Sequence, residues 1–300
     1  MTARNPTTFL VGAGPVATAL AGALRLGGVP VLGLWARRAT QARAAGSTAG
    51  VAAFSSAPPD ILLESEIVLL CVRDRAIPEV AHMLLGTGLI GKRHVLLHCA
   101  GAASAKDLLG EVASQVRGIG TMHPLSAIAD AKSSMRALKG TVFGVEGDDV
   151  GRATAERLVG ALSGVVLALE STQMAAYHAA AAVASNYIVA ALDVAAAILA
   201  TAGVPADKAA RALVPLAEGA VKNVGAHGTT AGLTGPVRRG DVETIRRHLE
   251  ALRGKPELVE PYRALARRAV EIAARIDGAD APDRAGLDAI RALLDAHSHG

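Results

Sequence analysis

A glycine-rich turn near the start of the chain is the first pattern that indicates chemistry. It reads Gly12-Ala13-Gly14-Pro15-Val16-Ala17 and stands between an apolar stretch, 8–11, and a helical pattern, 15–26. The first glycine permits a tight turn, the second lets a pyrophosphate approach the backbone, and a small residue at the end lets the helix pack closely on a sheet. The free amides of the helix N-terminus would face the phosphates. The pattern predicts a dinucleotide site over residues 12–17; a purely structural turn is the alternative.

The end of the second predicted strand carries two arginines. The strand covers 31–35, and Arg37 and Arg38 follow it with no acidic residue nearby. An NAD site usually places Asp or Glu here, bonded to the ribose hydroxyls. Two guanidinium groups instead suit a 2′-phosphate, which arginine binds through paired charge-assisted hydrogen bonds. We therefore predict NADP(H) as the cofactor; a solvated basic helix start is the alternative.

Three more strand ends are expected at the same edge, because open α/β sheets bind ligands outside the carboxyl ends of their strands. Cys71, Val72 and Arg73 close one of these strands, Cys99 follows the next, and His123 ends the third. We predict that Val72, Arg73 and Cys99 contact the cofactor. The two cysteines are interpreted as small core residues rather than nucleophiles.

An alanine-rich helix near residue 180 carries conspicuous polar side chains. At about 100° per residue, His178, Ala182 and Ser185 share one stripe, with Asn186 on its shoulder. A histidine can donate a proton to a carbonyl oxygen or an imine nitrogen, and an asparagine can polarise the reacting group. We predict His178 and Asn186 as catalytic residues and Ser185 as a substrate contact, with His123 as the competing acid. Satisfied polar groups in a core or at a subunit interface are the alternative.

Further polar groups lie later in the chain. Lys222 and Asn223 stand near the end of a second long helical pattern, where the lysine would supply a cation. Arg238 lies in a loop with two glycine-containing turns, and an oxoacid carboxylate would pair well with such an arginine. We predict all three as substrate contacts, although a solvated loop also accounts for Arg238.

The order of predicted elements indicates an α/β fold with two domains. Up to residue 170, near-continuous apolar strands alternate with helical patterns, which is typical of a doubly wound, mostly parallel sheet covered on both faces. From residue 171 onward helical patterns dominate. We predict a Rossmann-type domain over 1–170 and an all-α substrate and dimerisation domain over 171–300.

Composition excludes several classes of protein. Hydrophobic residues make up 51% of the 300 positions, which excludes a disordered chain, and aromatics only 2%, which argues against base stacking on nucleic acid. The net charge is +4 without a dense basic run, and two cysteines fit a reducing compartment. The apolar stretch 174–204 carries His178, Asn186 and Asp193, which favours a buried helix over a membrane span. We expect a cytoplasmic protein with no metal site and no targeting segment.

The motifs shared with a known family lie in the middle and second half of the chain. They are Gly120-Thr-Met-His123-Pro124-Leu125, Tyr177-His178-Ala-Ala-Ala with Ala184-Ser185-Asn186, Leu233-Thr234-Gly235-Pro236 with Arg239-Gly240-Asp241, and His248-Leu249 with Leu252. On these residues the chain resembles the Rossmann-like and DUF2520 domain-containing oxidoreductases. They belong to the 6-phosphogluconate-dehydrogenase-like superfamily, with ketopantoate reductase, pyrroline-5-carboxylate reductase and the F420-dependent NADP reductases.

The resemblance implies roles for particular residues. Asn186 falls where the superfamily has its substrate-binding Asn. Relatives usually carry a catalytic Lys one turn earlier, but this chain has Ala182 there and no lysine between Lys139 and Lys208. The departure moves the expected proton donor to His178. A second departure is Arg73, where relatives tend to have Pro.

Together these features predict an NADPH-dependent reductase of a small carbonyl compound, for example a 2-oxo acid such as ketopantoate. An imine reductase similar to pyrroline-5-carboxylate reductase, or an enzyme similar to prephenate dehydrogenase, is the enzymatic alternative. A non-catalytic NADP-sensing dimer is the third possibility. A homodimer through the helical domain is expected.

Overall fold

The computed structural model describes residues 5–278 and 281–296. By its internal contacts the chain divides into two compact units, one up to Val183 and one from Ala184 onward. The sheet ends before residue 171, close to the predicted domain boundary. The helix that follows it packs with the first unit.

The first unit contains one eight-stranded sheet. Its strands are β1 (Thr8–Val11), β2 (Val31–Ala36), β3 (Ala53–Ser55), β4 (Ile67–Leu70), β5 (Val95–His98), β6 (Gly118–Pro124), β7 (Val142–Gly147) and β8 (Val165–Ala168). Their spatial order is β3-β2-β1-β4-β5-β6-β7-β8, and only the pair β6–β7 is antiparallel. The order reverses between β1 and β4, which is where doubly wound sheets bind their ligands.

The helices of this unit lie on both faces of the sheet and beside it. They are α1 (Pro15–Leu26), α2 (Ala39–Ala49), α3 (Ile77–Gly86), α4 (Ala105–Leu109), α5 (Ala131–Ala137), α6 (Asp149–Ala161) and α7 (Met174–Ala184). Side chains alternate along a strand, so Phe9 and Val11 of β1 join the core under α3 and α4 while Leu10 joins the core under α1 and α6. Burial on both faces explains why β4 is wholly apolar.

The described part of the second unit is helical. It comprises α8 (Asn186–Ala200), α9 (Ala206–Gly232), α10 (Pro236–Arg239), α11 (Val242–Ala251), α12 (Pro256–Ala273) and α13 (Arg284–Asp295). The last four pack around a core that includes Ile245, Val270 and Ile290. The predicted fold class, a Rossmann-type mostly parallel sheet followed by an all-α region, is confirmed.

The alanine-rich helix predicted near residue 180 is not continuous. It is interrupted at Ser185, whose backbone (φ −125°, ψ −77°) is not helical, so the stripe running from His178 through Ser185 to Asn186 does not exist as one helical face. The second long helical pattern forms α9, which has a kink at Gly228 (φ 76°, ψ 173°). The strand β3 and the helices α2 and α5 were not predicted.

The apolar stretch around residue 180 is not buried within one chain. The segment Ser171–Ala200 is long and apolar enough to cross a membrane, and 6% of its most apolar window is buried. The expectation of a buried helix was therefore wrong for the single chain. Long apolar helices also occur in proteins without a membrane, so the length and hydropathy of one segment are weak evidence for a span.

Candidate active site

The glycine-rich turn joins β1 to α1 at the point where the strand order reverses. Gly12 has φ +134°, and a Cβ atom there would lie 2.3 Å from the carbonyl oxygen of Cys71 at the end of β4. Only glycine fits this backbone and this contact. A Cβ on Gly14 would meet nothing within 4 Å, so open space lies over the turn, and Ala17 is fully buried against the sheet. Pro15 starts α1 and so leaves the amides of the first turn free for a ligand.

The two arginines follow β2 directly, on the same edge of the sheet as the turn. Arg37 and Arg38 are both exposed, and neither guanidinium pairs with a carboxylate among the described residues. The backbone amide of Gly12 donates to the carbonyl of Trp35, which ties the end of β2 to the turn. The two cationic side chains lie two and three residues beyond this bond, and their role in binding a 2′-phosphate stays a prediction.

The neighbouring strand ends lie beside the turn as predicted. Val72 is half-buried and Arg73 is exposed beyond it, at the start of a short 3₁₀ turn. Cys71 and Cys99 end adjacent parallel strands, and their sulfur atoms are 3.5 Å apart. Both border the core under α1, but both are half-buried rather than enclosed. The prediction that they are core residues holds only in part.

Three side chains from β6 and α7 form a compact polar group. Nδ1 of His123 lies 2.8 Å from the phenol oxygen of Tyr177, and the two rings meet edge to face. The ring of His178 is 5.9 Å from that of His123, again nearly perpendicular. Tyr177 is buried, whereas His178 is exposed and accessible to a ligand. The structure therefore brings the two predicted histidines together within the first unit.

Two glycines lie in close contact with the rings of this group. A Cβ on Gly101, three residues beyond β5, would lie 2.7 Å from Cδ2 of His178 and 2.8 Å from Nε2 of His123. A Cβ on Gly144, the cross-strand neighbour of His123, would lie 2.5 Å from the phenol oxygen of Tyr177. Side chains at these positions would displace the rings, so the backbone itself forms one wall of the site.

The environment sets the charge of the central histidine. Burial and, as the smaller cause, the like charge of the nearby His178 together lower the pKa of His123 to about 4. Burial also raises the pKa of Tyr177 to about 12. At neutral pH the pair is therefore an uncharged imidazole bonded to an un-ionised phenol, so His123 does not serve as an imidazolium acid.

A row of buried polar side chains crosses three strands beside this group. His98 on β5 is the register partner of Thr121 on β6, which in turn faces Glu146 on β7. Nδ1 of His98 accepts from the amide of Ala100, so in the neutral ring Nε2 carries the proton and donates to Thr121 at 3.1 Å. The threonine hydroxyl donates to Glu146 at 3.2 Å. Burial lowers the pKa of His98 to about 4, which keeps the ring neutral.

Glu146 is the anchor of this row. Its side chain is buried and accepts hydrogen bonds from the amide of Ala105 at 2.7 Å and from the hydroxyl of Ser171 at 2.8 Å, besides Thr121. Ala105 starts α4 after the loop that carries Gly101, and Ser171 precedes α7. One carboxyl group therefore fixes the ends of both segments that contact His123.

The remaining predicted residues lie at or beyond the start of the second unit. Ser185 is the break between α7 and α8, and Asn186 is the exposed first residue of α8. Lys222 and Asn223 are exposed on α9, shortly before its kink. Arg238 is half-buried on α10. Their arrangement relative to His123 and His178 stays a prediction.

Sequence reasoning missed Tyr177, Glu146 and Gly101 as site residues. Tyr177 was seen only as part of a family motif, and Glu146 carried no pattern at all. The one available signal for Gly101 was its place after a strand end. Among residues 5–278 and 281–296, no cluster of three or more His, Cys, Asp or Glu side chains forms a metal site.

Comparison with known proteins finds a family model that matches part of the chain. Residues 141–269 match the sequence profile of the Domain of unknown function (DUF2520). The matched region starts at β7 and includes Glu146, Tyr177, His178 and Asn186, so it overlaps the sheet and the candidate active site. The predicted resemblance to Rossmann-like, DUF2520-containing proteins is thus confirmed.

Solved structures with the same fold cover most of the chain. Protein TM1727 from Thermotoga maritima is 25% identical, with a TM-score of 0.67 over 89% of this chain and 100% of the other. Protein BF3122 from Bacteroides fragilis is 22% identical, with a TM-score of 0.68 over 89% and 98%. A reductive aminase from Aspergillus terreus, solved with NADPH and ethyl-5-oxohexanoate, is 18% identical, with a TM-score of 0.59 over 94% and 98%. A comparison with curated proteins gives no match.

Proposed function

We propose that this protein is an NADPH-dependent oxidoreductase that reduces a small carbonyl compound. One observation carries the proposal: the paired imidazoles of His123 and His178 lie at the carboxyl edge of the same sheet that carries the glycine-rich turn. A proton donor, for which we propose His178, and a dinucleotide turn on one sheet edge are the two parts that a nicotinamide-dependent reductase needs.

The residues at this edge fit NADP(H). Gly12, Gly14 and the first turn of α1 would hold the pyrophosphate, and Arg37 and Arg38 would hold the 2′-phosphate. Val72, Arg73 and Cys99 would border the rest of the cofactor. When bound, NADPH would supply the hydride. The NADPH in the structure of the Aspergillus reductive aminase supports this choice for a chain of the same fold.

His178 is the proposed proton donor. It is exposed to a ligand, while His123 is neutral at physiological pH because its pKa is about 4. His123, held by Tyr177, would accept or donate a hydrogen bond to the substrate through Nε2, the ring nitrogen that faces Gly101. The two histidines thus take different roles, one moving a proton and the other orienting the reacting group.

The substrate class follows from the cations and amides of the second unit. Asn186, Ser185, Lys222, Asn223 and Arg238 are the proposed substrate contacts, and the two cations would bind a carboxylate. A 2-oxo acid, of which ketopantoate is one example, meets both requirements. Imine reduction is the second candidate, and the likeness to a reductive aminase favours it.

We further propose a cytoplasmic homodimer that forms through the helical unit. Large apolar side chains on α8 and α9 are exposed in the single chain, among them Tyr187, Val189, Leu216 and Val221. Exposed apolar surface of this extent is typical of a protein–protein interface. In a symmetric dimer, a second copy of the chain would cover this apolar surface.

Titration of the purified chain with NADPH and with NADH tests the cofactor, using the fluorescence of Trp35, the only tryptophan. Trp35 lies two residues before Arg37, and we expect NADPH to bind at least about tenfold more tightly. Arg37→Ala combined with Arg38→Ala should abolish that preference while NADH binding stays unchanged. Equal affinity for both cofactors in the unaltered chain would refute the role of the two arginines.

A panel of 2-oxo acids, ketones paired with amines, and cyclic imines then tests the reaction. The measurement is the loss of NADPH absorbance with each compound. We expect turnover with one class. Tight NADPH binding with no oxidation across all classes would instead favour the dinucleotide-sensing dimer.

A further inference from the structure

Cys71 and Cys99 form a pair of thiols at the carboxyl edge of the sheet. They follow β4 and β5, which are adjacent and parallel with Leu70 opposite His98. Their sulfur atoms are 3.5 Å apart, close to van der Waals contact, and both side chains are half-buried rather than enclosed. The chain has two cysteines in all, so this contact is not a chance product of a cysteine-rich sequence.

The geometry of this pair suits a disulfide bond. Neighbouring strands run about 4.8 Å apart, which falls within the Cα–Cα range of about 4.4–6.8 Å that disulfides require. The backbone at both positions is held by the sheet ladder, since the amide of Cys71 donates to Val11 and that of Cys99 donates to Leu70. To form the bond, the sulfurs must close from 3.5 Å to about 2.05 Å.

We propose that Cys71 and Cys99 are a redox-active dithiol that a peroxide converts reversibly into an intramolecular disulfide. Such bonds occur in reducing compartments as transient, redox-sensing ones rather than as structural ones. Both residues are only partly buried, which gives a small oxidant access to the pair. It also gives a thiol reductant access to the product.

The chemistry takes two steps. The Cys99 thiolate attacks one oxygen of hydrogen peroxide, the O–O bond breaks, and hydroxide leaves, which gives a sulfenic acid on Cys99. The sulfur of Cys71 then attacks that of Cys99, the S–O bond breaks, and the hydroxide departs as water with the proton of Cys71. In sum, two thiols and one peroxide give one disulfide and two waters.

The environment sets the order of these steps. The hydrogen bond to Cys99 and burial raise the pKa of Cys71 well above its usual value. We propose Cys99 as the thiol that meets the oxidant and Cys71 as the one that resolves the intermediate, and peptide mapping of the sulfenic acid in the two single serine variants tests this order.

The location links this pair to the dinucleotide turn. The carbonyl oxygen of Cys71 is the atom that leaves no room for a side chain at Gly12. A bond between the sulfurs would fix the end of β4 beneath that turn. This consequence rests on the proposed function: bound NADPH should shield the thiols and slow the formation of the disulfide.

Intact-mass measurement after treatment of the full chain with hydrogen peroxide tests the proposal. We expect both thiols to disappear, the mass to fall by about 2 Da, the mass of two hydrogen atoms, and a thiol reductant to restore it. Peptide mapping should find residue 71 linked to residue 99 within one chain. Cys71→Ser and Cys99→Ser, which keep size and fold, should each retain no intramolecular link.

Two results would overturn the dithiol: thiols that stay reduced, or oxidation that adds oxygen to one cysteine while the other stays free. Links between separate chains would overturn it as well. The mass measurement needs no dinucleotide, so it tests the thiol pair independently of the proposed reductase activity. If the disulfide formed at the same rate with and without saturating NADPH, the two thiols would not lie under the bound cofactor. The proposal that they form a redox-active pair would still stand.

Discussion

The phenol oxygen of Tyr177 lies 2.8 Å from Nδ1 of His123, although 54 positions separate them in the sequence. The contact joins the end of β6 to the second turn of α7, and so fixes the orientation of an imidazole whose other nitrogen faces Gly101. His178, the next residue after Tyr177, is thereby held against the same ring. The tyrosine orients one histidine by a hydrogen bond and places the other by being its neighbour.

Replacing Tyr177 by phenylalanine should lower turnover about tenfold, because Nδ1 of His123 loses a buried partner. The chain offers a matched control in Tyr262, whose phenol lies 2.9 Å from Nδ1 of His248 with the rings edge to face. Burial raises the pKa of both tyrosines to about 12. Tyr262→Phe should cost similar stability, about 1 kcal/mol, and leave turnover unchanged. Equal turnover for the two variants would contradict the role of Tyr177.

Replacing His178 by alanine should lower turnover by about 10²–10⁴-fold, the usual contribution of a general acid. NADPH affinity should stay within about twofold, since the histidine lies apart from the glycine-rich turn and the arginines. Stopped-flow turnover and a fluorescence titration separate the two effects. His82→Ala, an exposed histidine on α3, serves as the control and should change neither. Unchanged turnover in His178→Ala would remove this residue from the mechanism.

Adding one methyl group at Gly101 should disable the site, since the new Cβ would lie 2.7 Å and 2.8 Å from the two imidazoles. We expect Gly101→Ala to lower turnover more than about tenfold and stability by about 1–3 kcal/mol, as overpacking does. Gly160→Ala on α6, where the new Cβ meets nothing within 4 Å, should instead stabilise by about 0.5–1 kcal/mol. Urea unfolding and an activity assay measure both. Full activity in Gly101→Ala would show that the rings have room to move.

Stability should fall as the pH drops from about 6.5 to about 4. His98 and His123 bind protons in the unfolded chain near pH 6.5 but in the folded chain only near pH 4, so acid favours the unfolded state over this range. His98 alone accounts for about 3 kcal/mol. His98→Gln, which does not titrate, should flatten the dependence measured by urea unfolding at several pH values. If the unfolding free energy of His98→Gln fell with pH as steeply as that of the unaltered chain, His98 would not be the source of the pH dependence.

The dinucleotide turn could be read from the sequence because its determinants are local. Gly12, Gly14 and Ala17 act through the backbone of a single strand–turn–helix unit, and the strand order around them obeys general rules. The reversed direction of β7 had no such signal, because an apolar strand shows the same residue pattern whichever way it runs. The identity of the side chains fixes burial, but connectivity and packing fix direction.

The polar row was not predictable for a related reason. His98, Thr121 and Glu146 lie far apart in sequence and become neighbours only through the register of three strands. Each alone resembles an ordinary polar residue at a strand end. Their function as a group exists only after the sheet forms, and the same holds for the two cysteine sulfurs. The break at Ser185 lies between Ala184 and Asn186, and neither glycine nor proline marks it in the sequence.

The edge strand β8 is a candidate site of association between chains. All four of its residues are exposed, three of them are large and apolar, and among the described strands it pairs with β7 alone. An open ladder with a hydrophobic flank is the form of edge that recruits other strands and aggregates. A charged residue in place of Val166 should therefore lower the tendency of the chain to aggregate.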